Sequence, residues 1–154
     1  MQKASSFNRS LALFLARAVL GLIFLMAGKW KVFQLGPVEH ARRLFIEPYA
    51  DTFLPAWSLW LTGTVIPVVE LLAGALVLIG FRTREALMAL GGVLVIVTFG
   101  HLVKEPLFAF HSHVIPRLAL VLFILVLPST DDKWSLDYLL SSRRTSTPLP
   151  EVFD

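Results

Sequence analysis

Apolar residues gather into four runs separated by short polar stretches. They occupy positions 11–28 (LALFLARAVLGLIFLMAG), 57–79 (WSLWLTGTVIPVVELLAGALVLI), 86–103 and 113–128 (HVIPRLALVLFILVLP). None alternates with a period of two, and each is too long for a buried strand, so all four predict helices. A helix needs about 20 residues to cross a hydrocarbon core of about 30 Å. The first three meet that length closely. The fourth is the shortest and must draw on its flanks or sit in a thinned bilayer. The expected fold is an all-α, integral membrane four-helix bundle over residues 11–140, with three spans plus a re-entrant segment as the alternative. Residues 1–10 form a short N-terminal segment. The Ser/Thr/Pro-rich stretch 141–154 is expected to be disordered.

The connections refine this picture. Lys3 and Arg9 precede the first run, as in a secretory signal. The run is longer than a signal's usual 7–15 apolar residues, contains Arg17 and is followed by further spans, so it reads as an uncleaved anchor. Within the long loop 29–56, Pro37 can open a helix. Val38, Ala41, Leu44 and Phe45 fall on one face of it, predicting a short interfacial helix lying on the membrane or capping the bundle. With four spans both termini share a side. Lys3, Arg9, Arg82, Arg84, Lys133, Arg143 and Arg144 would lie there, against Lys29, Lys31, Arg42, Arg43 and Lys104 opposite. That asymmetry predicts cytoplasmic termini and a multi-pass protein of the inner (cytoplasmic) membrane. Trp30, Tyr49, Trp57, Trp60 and Trp134 sit at span ends, where amphipathic rings prefer the interface.

Composition removes the soluble alternatives. The chain has 154 residues, 56% hydrophobic and only 16% charged, against about 25% charged in ordinary globular proteins. A fold of this size has too little interior to hide so much apolar surface. The absence of cysteine removes disulfides, iron–sulfur clusters and thiolate zinc sites from this chain. Its net charge of +3 is scattered between apolar runs. That distribution suits lipid headgroups and topology, not a nucleic-acid patch.

Charges inside the runs are the first candidates for function, because an ionised side chain near mid-membrane is costly and generally pairs inside the bundle. Counted from the terminal side, Arg17 lies about 9 Å into its span and Glu70 about 14 Å into the second. The difference is within an arginine's reach, so an Arg17–Glu70 pair is expected. Phase agrees: Arg17, Gly21, Phe24 and Gly28 share one stripe, and Gly63, Pro67, Glu70 and Gly74 another, as in close-packed membrane helices. Pro67 also frees the carbonyl of Gly63. Such a pair either fixes helix register or lines a ligand or proton site. A second cluster, His101, Lys104, Glu105, His111, His113 and Arg117, gathers at the opposite face. It could serve a quinone headgroup, a proton entry point or paired-His ligation, or be a satisfied interfacial loop. Metal binding needs three or four well-placed ligands, so no metal is assigned. No catalytic residue is assigned either, since no phosphate loop, nucleophile elbow or metalloprotease motif is present.

Three sequence elements carry a resemblance: AGKWKVF after the first run, VELLAGALVLIGFRTREALMALG across the second turn, and SLDYLL at 135–140. Over about residues 17–140 the chain resembles the DoxX family of small four-helix membrane proteins. Arg17, Lys29, Glu70, Gly74, Gly80, Thr83 and Arg84 match its pattern, whereas the 101–113 segment does not belong to it. The resemblance implies a bundle in a bacterial or archaeal cytoplasmic membrane, associated with thiosulfate:quinone oxidoreductase or other membrane-anchored oxidoreductase assemblies. The expectation is an accessory or anchor subunit, not an enzyme alone. It would carry no cofactor of its own and would meet quinone through the assembly. A non-catalytic scaffold, assembly factor or small-solute carrier, or a homo-oligomer of one, is the competing class.

Overall fold

The computed structural model describes residues 2–145, and every regular element among them is helical. The first apolar run is the middle of a longer rod. Helix α1 (Gln2–Lys29) starts well before Leu11, since no glycine or proline precedes Gly21 to interrupt it. It continues through a π-hydrogen-bonded stretch, Trp30–Leu35, into what the sequence suggests is loop. Gly36 ends it with φ +86°, a conformation that favours glycine. Pro37 then opens α2 (Pro37–Ala41), prolonged by π-type turns over Arg42–Ile46. On its outer face Glu39 bonds Arg42 and Arg43, which hold its carboxyl at about 2. The side of α2 that is buried carries His40 and Ala41 and packs on the next helix, while Val38 and Leu44 stay exposed. Of the two placements expected for this segment, capping the bundle is the one its buried face describes.

Helices α3 (Ala56–Ile79) and α4 (Thr83–Lys104) meet at a tight turn. Gly80 takes a left-handed φ of +72°, and the N–H groups of Gly80 and Phe81 both return to Leu76 O at 3.0 Å, closing the end of α3. Arg82 is also left-handed, φ +45°, an uncommon state for a side-chain-bearing residue. Asp137 holds it there. Its carboxylate accepts the N–H groups of Arg82 (2.8 Å) and Thr83 (2.9 Å), and its own N–H donates to Gly80 O at 2.9 Å. The GFRTR and SLDYLL elements are therefore two halves of one clamp.

Helix α5 (Val114–Val126) returns the chain to that turn, and α6 (Leu136–Thr145) follows. Residues 128–137 meet the start of α1. Ser10 donates to Asp131 O at 2.6 Å, Lys133 to Ser6 Oγ at 2.8 Å, and Arg9 pairs with Asp131 at 3.5 Å. Of the stretch 141–154 expected to be disordered, 141–145 are helical as the end of α6; 146–154 lie outside the described residues. Helices α1, α3, α4 and α5 touch in cyclic order around a core of Leu13, Leu20, Phe24, Val77, Leu87, Leu90, Val121 and Ile124. The outer surface is apolar, with Leu22, Leu72, Val95, Phe99 and Leu122 all exposed. Three helical stretches, Ser5–Leu35, Ala56–Ile79 and Thr83–Lys104, are long and apolar enough to cross a membrane. The 13 residues of α5 reach only about 20 Å.

The tightest seam joins α1 to α3. A side chain at Gly21 would lie 2.8 Å from Leu78 Cα, one at Gly74 would lie 2.5 Å from the Leu25 nitrogen, and one at Gly28 would collide with the backbone of Leu71. These contacts fix an antiparallel register, and the register decides where the charges go.

Candidate functional site

Arg17 and Glu70 do not pair. In the register set by the glycines, Arg17 lies level with position 82 and Glu70 level with position 29. Twelve residues of rise, about 18 Å, separate them. The edges of the apolar runs do not mark a common plane, because α1 extends beyond its run at both ends. Each charge has another partner instead.

Arg17 is 1% exposed. Its Nε sits 2.7 Å from Asp132 Oδ2 in an ionic contact whose N–H is not aligned for a hydrogen bond. Nη2 donates to Asp132 Oδ1 (3.3 Å) and Trp134 O (3.2 Å), and Nη1 to Val77 O (2.9 Å) and Leu78 O (3.2 Å). Those last two carbonyls belong to the final turn of α3, where the helix dipole is negative and Val77 O otherwise takes only a 3.2 Å bond from the Gly80 N–H. One guanidinium thus joins three segments of chain. Burial pushes the Asp132 carboxyl above its ordinary value, with Arg17 offsetting part of the rise.

Glu70 pairs with Lys31 at 2.6 Å. Lys31 projects from the π-hydrogen-bonded end of α1 and lines a cavity of about 390 Å³ between residues 31–54, α3 and α4. The wall opposite is built around a proline. Pro67 has no N–H, so the carbonyl of Gly63 lacks its helical donor. His40 supplies one, with Nδ1 2.7 Å from Gly63 O. The approach needs Gly63, where a Cβ would lie 2.6 Å from Ala41 Cα. Since a carbonyl only accepts, His40 carries its proton on Nδ1, and Nε2 is the basic nitrogen. Burial, the largest influence, lowers the affinity of this imidazole for a second proton.

Tyr49 and His101 complete the polar lining. Burial raises the Tyr49 phenol, keeping it a neutral donor. Its hydroxyl lies against Gly100, and Lys104 Nζ sits 5.9 Å from its ring centroid. The His101 ring stacks on Phe108, centroids 4.0 Å apart and planes 11° from parallel. Ser58 and Thr62 turn their hydroxyls back to helical carbonyls, Pro55 O at 2.8 Å and Ser58 O at 2.7 Å. The rest of the wall is apolar, including Phe45, Leu54, Ile66, Ile96 and Phe99. A cavity of a few hundred Å³ with an apolar wall and a few convergent polar groups is what small-molecule sites look like.

The outer histidine cluster divides between the cavity and the surface. His101 joins the cavity, whereas His111 and His113 stay exposed around the short turn Phe110–Ser112. Arg117 lies over the Phe24 ring, 5.8 Å from its centroid, between α5 and α1. Among the described residues no three His, Asp or Glu side chains converge as a metal-ligand set. Of the remaining pattern positions, Lys29 is exposed at the end of α1, Gly74 and Gly80 serve close approach and chain reversal, and Thr83 and Arg84 open α4.

Lys31, His40, Tyr49 and Asp132 were not among the residues the sequence singled out. Two of them had a signal. Lys31 lies within AGKWKVF, and the carbonyl freed by Pro67 required a donor that His40 could provide. Asp132 and Tyr49 depend on how distant segments fold back, which no local pattern encodes. A family model described as DoxX matches residues 12–104. No curated protein and no solved structure matches the chain.

Proposed function

Because the chain belongs to the DoxX family of membrane proteins, we propose that it is the membrane-embedded accessory subunit of a quinone-linked oxidoreductase assembly. In this reading it crosses the inner membrane four times with both termini in the cytoplasm. α5 completes the fourth crossing with the help of its flanks, since it carries the chain from the 105–113 loop back to the α3–α4 turn. The observation that carries the functional reading is the cavity shared by Lys31, His40, Tyr49 and His101. Quinones are flat apolar rings with carbonyl acceptors at opposite edges, and this lining offers an apolar wall with separate donors. When bound, a quinone supplies two-electron, two-proton chemistry; the electron carrier belongs to a partner protein.

The chain's own contribution is binding and proton handling. The Lys31 ammonium and the Tyr49 hydroxyl donate hydrogen bonds into the cavity, and His40 Nε2 can accept a proton while Nδ1 stays on Gly63. Glu70 holds Lys31 in place and is a positioning residue. The test is isolation of the assembly from native membranes in mild detergent, with assays for extracted quinone and for quinone-linked dehydrogenase activity. The expected result is that Glu70→Gln lowers that activity and raises the quinone concentration needed for half-maximal rate, while protein abundance holds. Abundance collapsing together with activity would make Glu70 purely structural. Recovery of neither quinone nor dehydrogenase would favour the scaffold class.

A further inference from the structure

A second, larger concavity of about 590 Å³ lies at the opposite end of the molecule, where α1, α4 and α5 meet the segment after α5. Its deep wall is apolar, with Leu13, Leu87, Ile124 and Leu127. Its rim carries Arg82 and Arg84, and neither guanidinium has an ion-pair partner among the described residues. Three carboxylates also line it. Asp137 has both oxygens on backbone N–H groups, Asp132 is held by Arg17, and Glu85 is exposed in the first turn of α4. The two most constrained acids are therefore already engaged, which leaves the two arginines and the exposed Glu85 at the rim. Between them the Thr83 hydroxyl is buried and has no hydrogen-bond partner.

Two unpaired guanidinium groups at the rim of an apolar trough match a phosphate joined to an acyl chain. Trp134, 46% exposed and edge-on to both Phe7 and Phe14, marks this end as interfacial. We propose that this groove is a binding site for one anionic phospholipid, its phosphate on Arg82 and Arg84 and one acyl chain along Leu125, Val126 and Leu127. Basic pockets between membrane helices recognise such headgroups. Arg82 is held in its left-handed conformation by Asp137, so the backbone from which its side chain projects is fixed before the lipid arrives. The SLDYLL segment thereby shapes a lipid site without touching the phosphate.

The experiment is native mass spectrometry of the full chain released from nanodiscs containing equal parts of phosphatidylglycerol and phosphatidylcholine. One phosphatidylglycerol should be retained per chain. Arg82→Gln with Arg84→Gln should cut that retention by about tenfold or more. Arg84→Gln alone, at an exposed helical position that leaves the turn untouched, should lower it measurably with an unchanged thermal midpoint. Lys133→Gln with Arg143→Gln removes the same charge from the same end and should leave retention intact. Equal loss in that control, or equal retention of phosphatidylcholine, would overturn the proposal. Displacement of the lipid by millimolar inorganic phosphate would overturn it too, in favour of a free-phosphate site.

Discussion

Arg17 makes four hydrogen bonds and one ionic contact while almost wholly buried, so its removal strands several acceptors at once. Breaking a buried ion pair from one side costs about 3–5 kcal/mol. Arg17→Gln and Asp132→Asn should each lower the unfolding free energy in detergent by an amount in that range. Arg17→Lys should fall between them and the native chain, because an ammonium keeps the charge but loses the planar fork. Replacing both partners by leucine should recover only part of the loss, since the carbonyls of Leu78 and Trp134 then lose the donor that Arg17 gives them. Full recovery would show that those carbonyl bonds contribute nothing. That Arg17 and Glu70 require partners was legible, because an ion in an apolar run announces itself. Which partners they take was not, because pairing follows the register, and the register is set by glycines pressing on a facing backbone.

At the scale of elements, the segment from Gly36 to Ile46 is the part whose position depends on chemistry more than on hydrophobic area. It is docked by the contact of Ala41 with Gly63 and by the bond from His40 to Gly63 O. The His40 imidazole is depressed below its ordinary value of about 6.5. Above that ordinary value the ring is neutral whether docked or released, and the docking free energy is fully present. As pH falls, the released segment takes up the proton first, so docking stability is lost as pH drops through the folded value. Amide protection across residues 40–46, referred to the intrinsic exchange rate at each pH, should therefore fall below about pH 6.5, while protection in the middle of α3 stays unchanged. His40→Gln, which can still donate to Gly63 O but cannot titrate here, should flatten that dependence. Pro37 and the breaker at Gly36 made this short helix readable. Its buried face was readable in part: Ala41 and Phe45 do lie against Gly63 of α3, while Val38 and Leu44 stay exposed and His40 is buried in their stead.

For the whole molecule, the apolar runs defined an all-helical membrane protein because length and lipid-compatible composition leave no other stable solution. The pairing of GFRTR with SLDYLL through Asp137 was less accessible, as it joins positions more than fifty residues apart. The proposed topology is testable with unusual economy, because the chain has no cysteine and each introduced thiol is unique. Phe53→Cys and Leu107→Cys should react with an impermeant maleimide from the periplasmic side of intact cells. Thr130→Cys should react only after permeabilisation. Equal labelling of positions 107 and 130 from one side would mean that α5 turns back within the membrane, which is the three-span alternative.

The central claim is that the space beneath the 31–54 segment holds a quinone ring. A photoreactive quinone analogue, irradiated with the purified full chain in nanodiscs and mapped by peptide mass spectrometry, tests it most directly. Label should fall on peptides bearing Lys31–Tyr49 and Ile96–His101, be competed away by unmodified quinone and weaken several-fold in Tyr49→Phe with His101→Ala. Label spread over the lipid-facing surfaces of α4 and α5, insensitive to both competitor and substitutions, would contradict it.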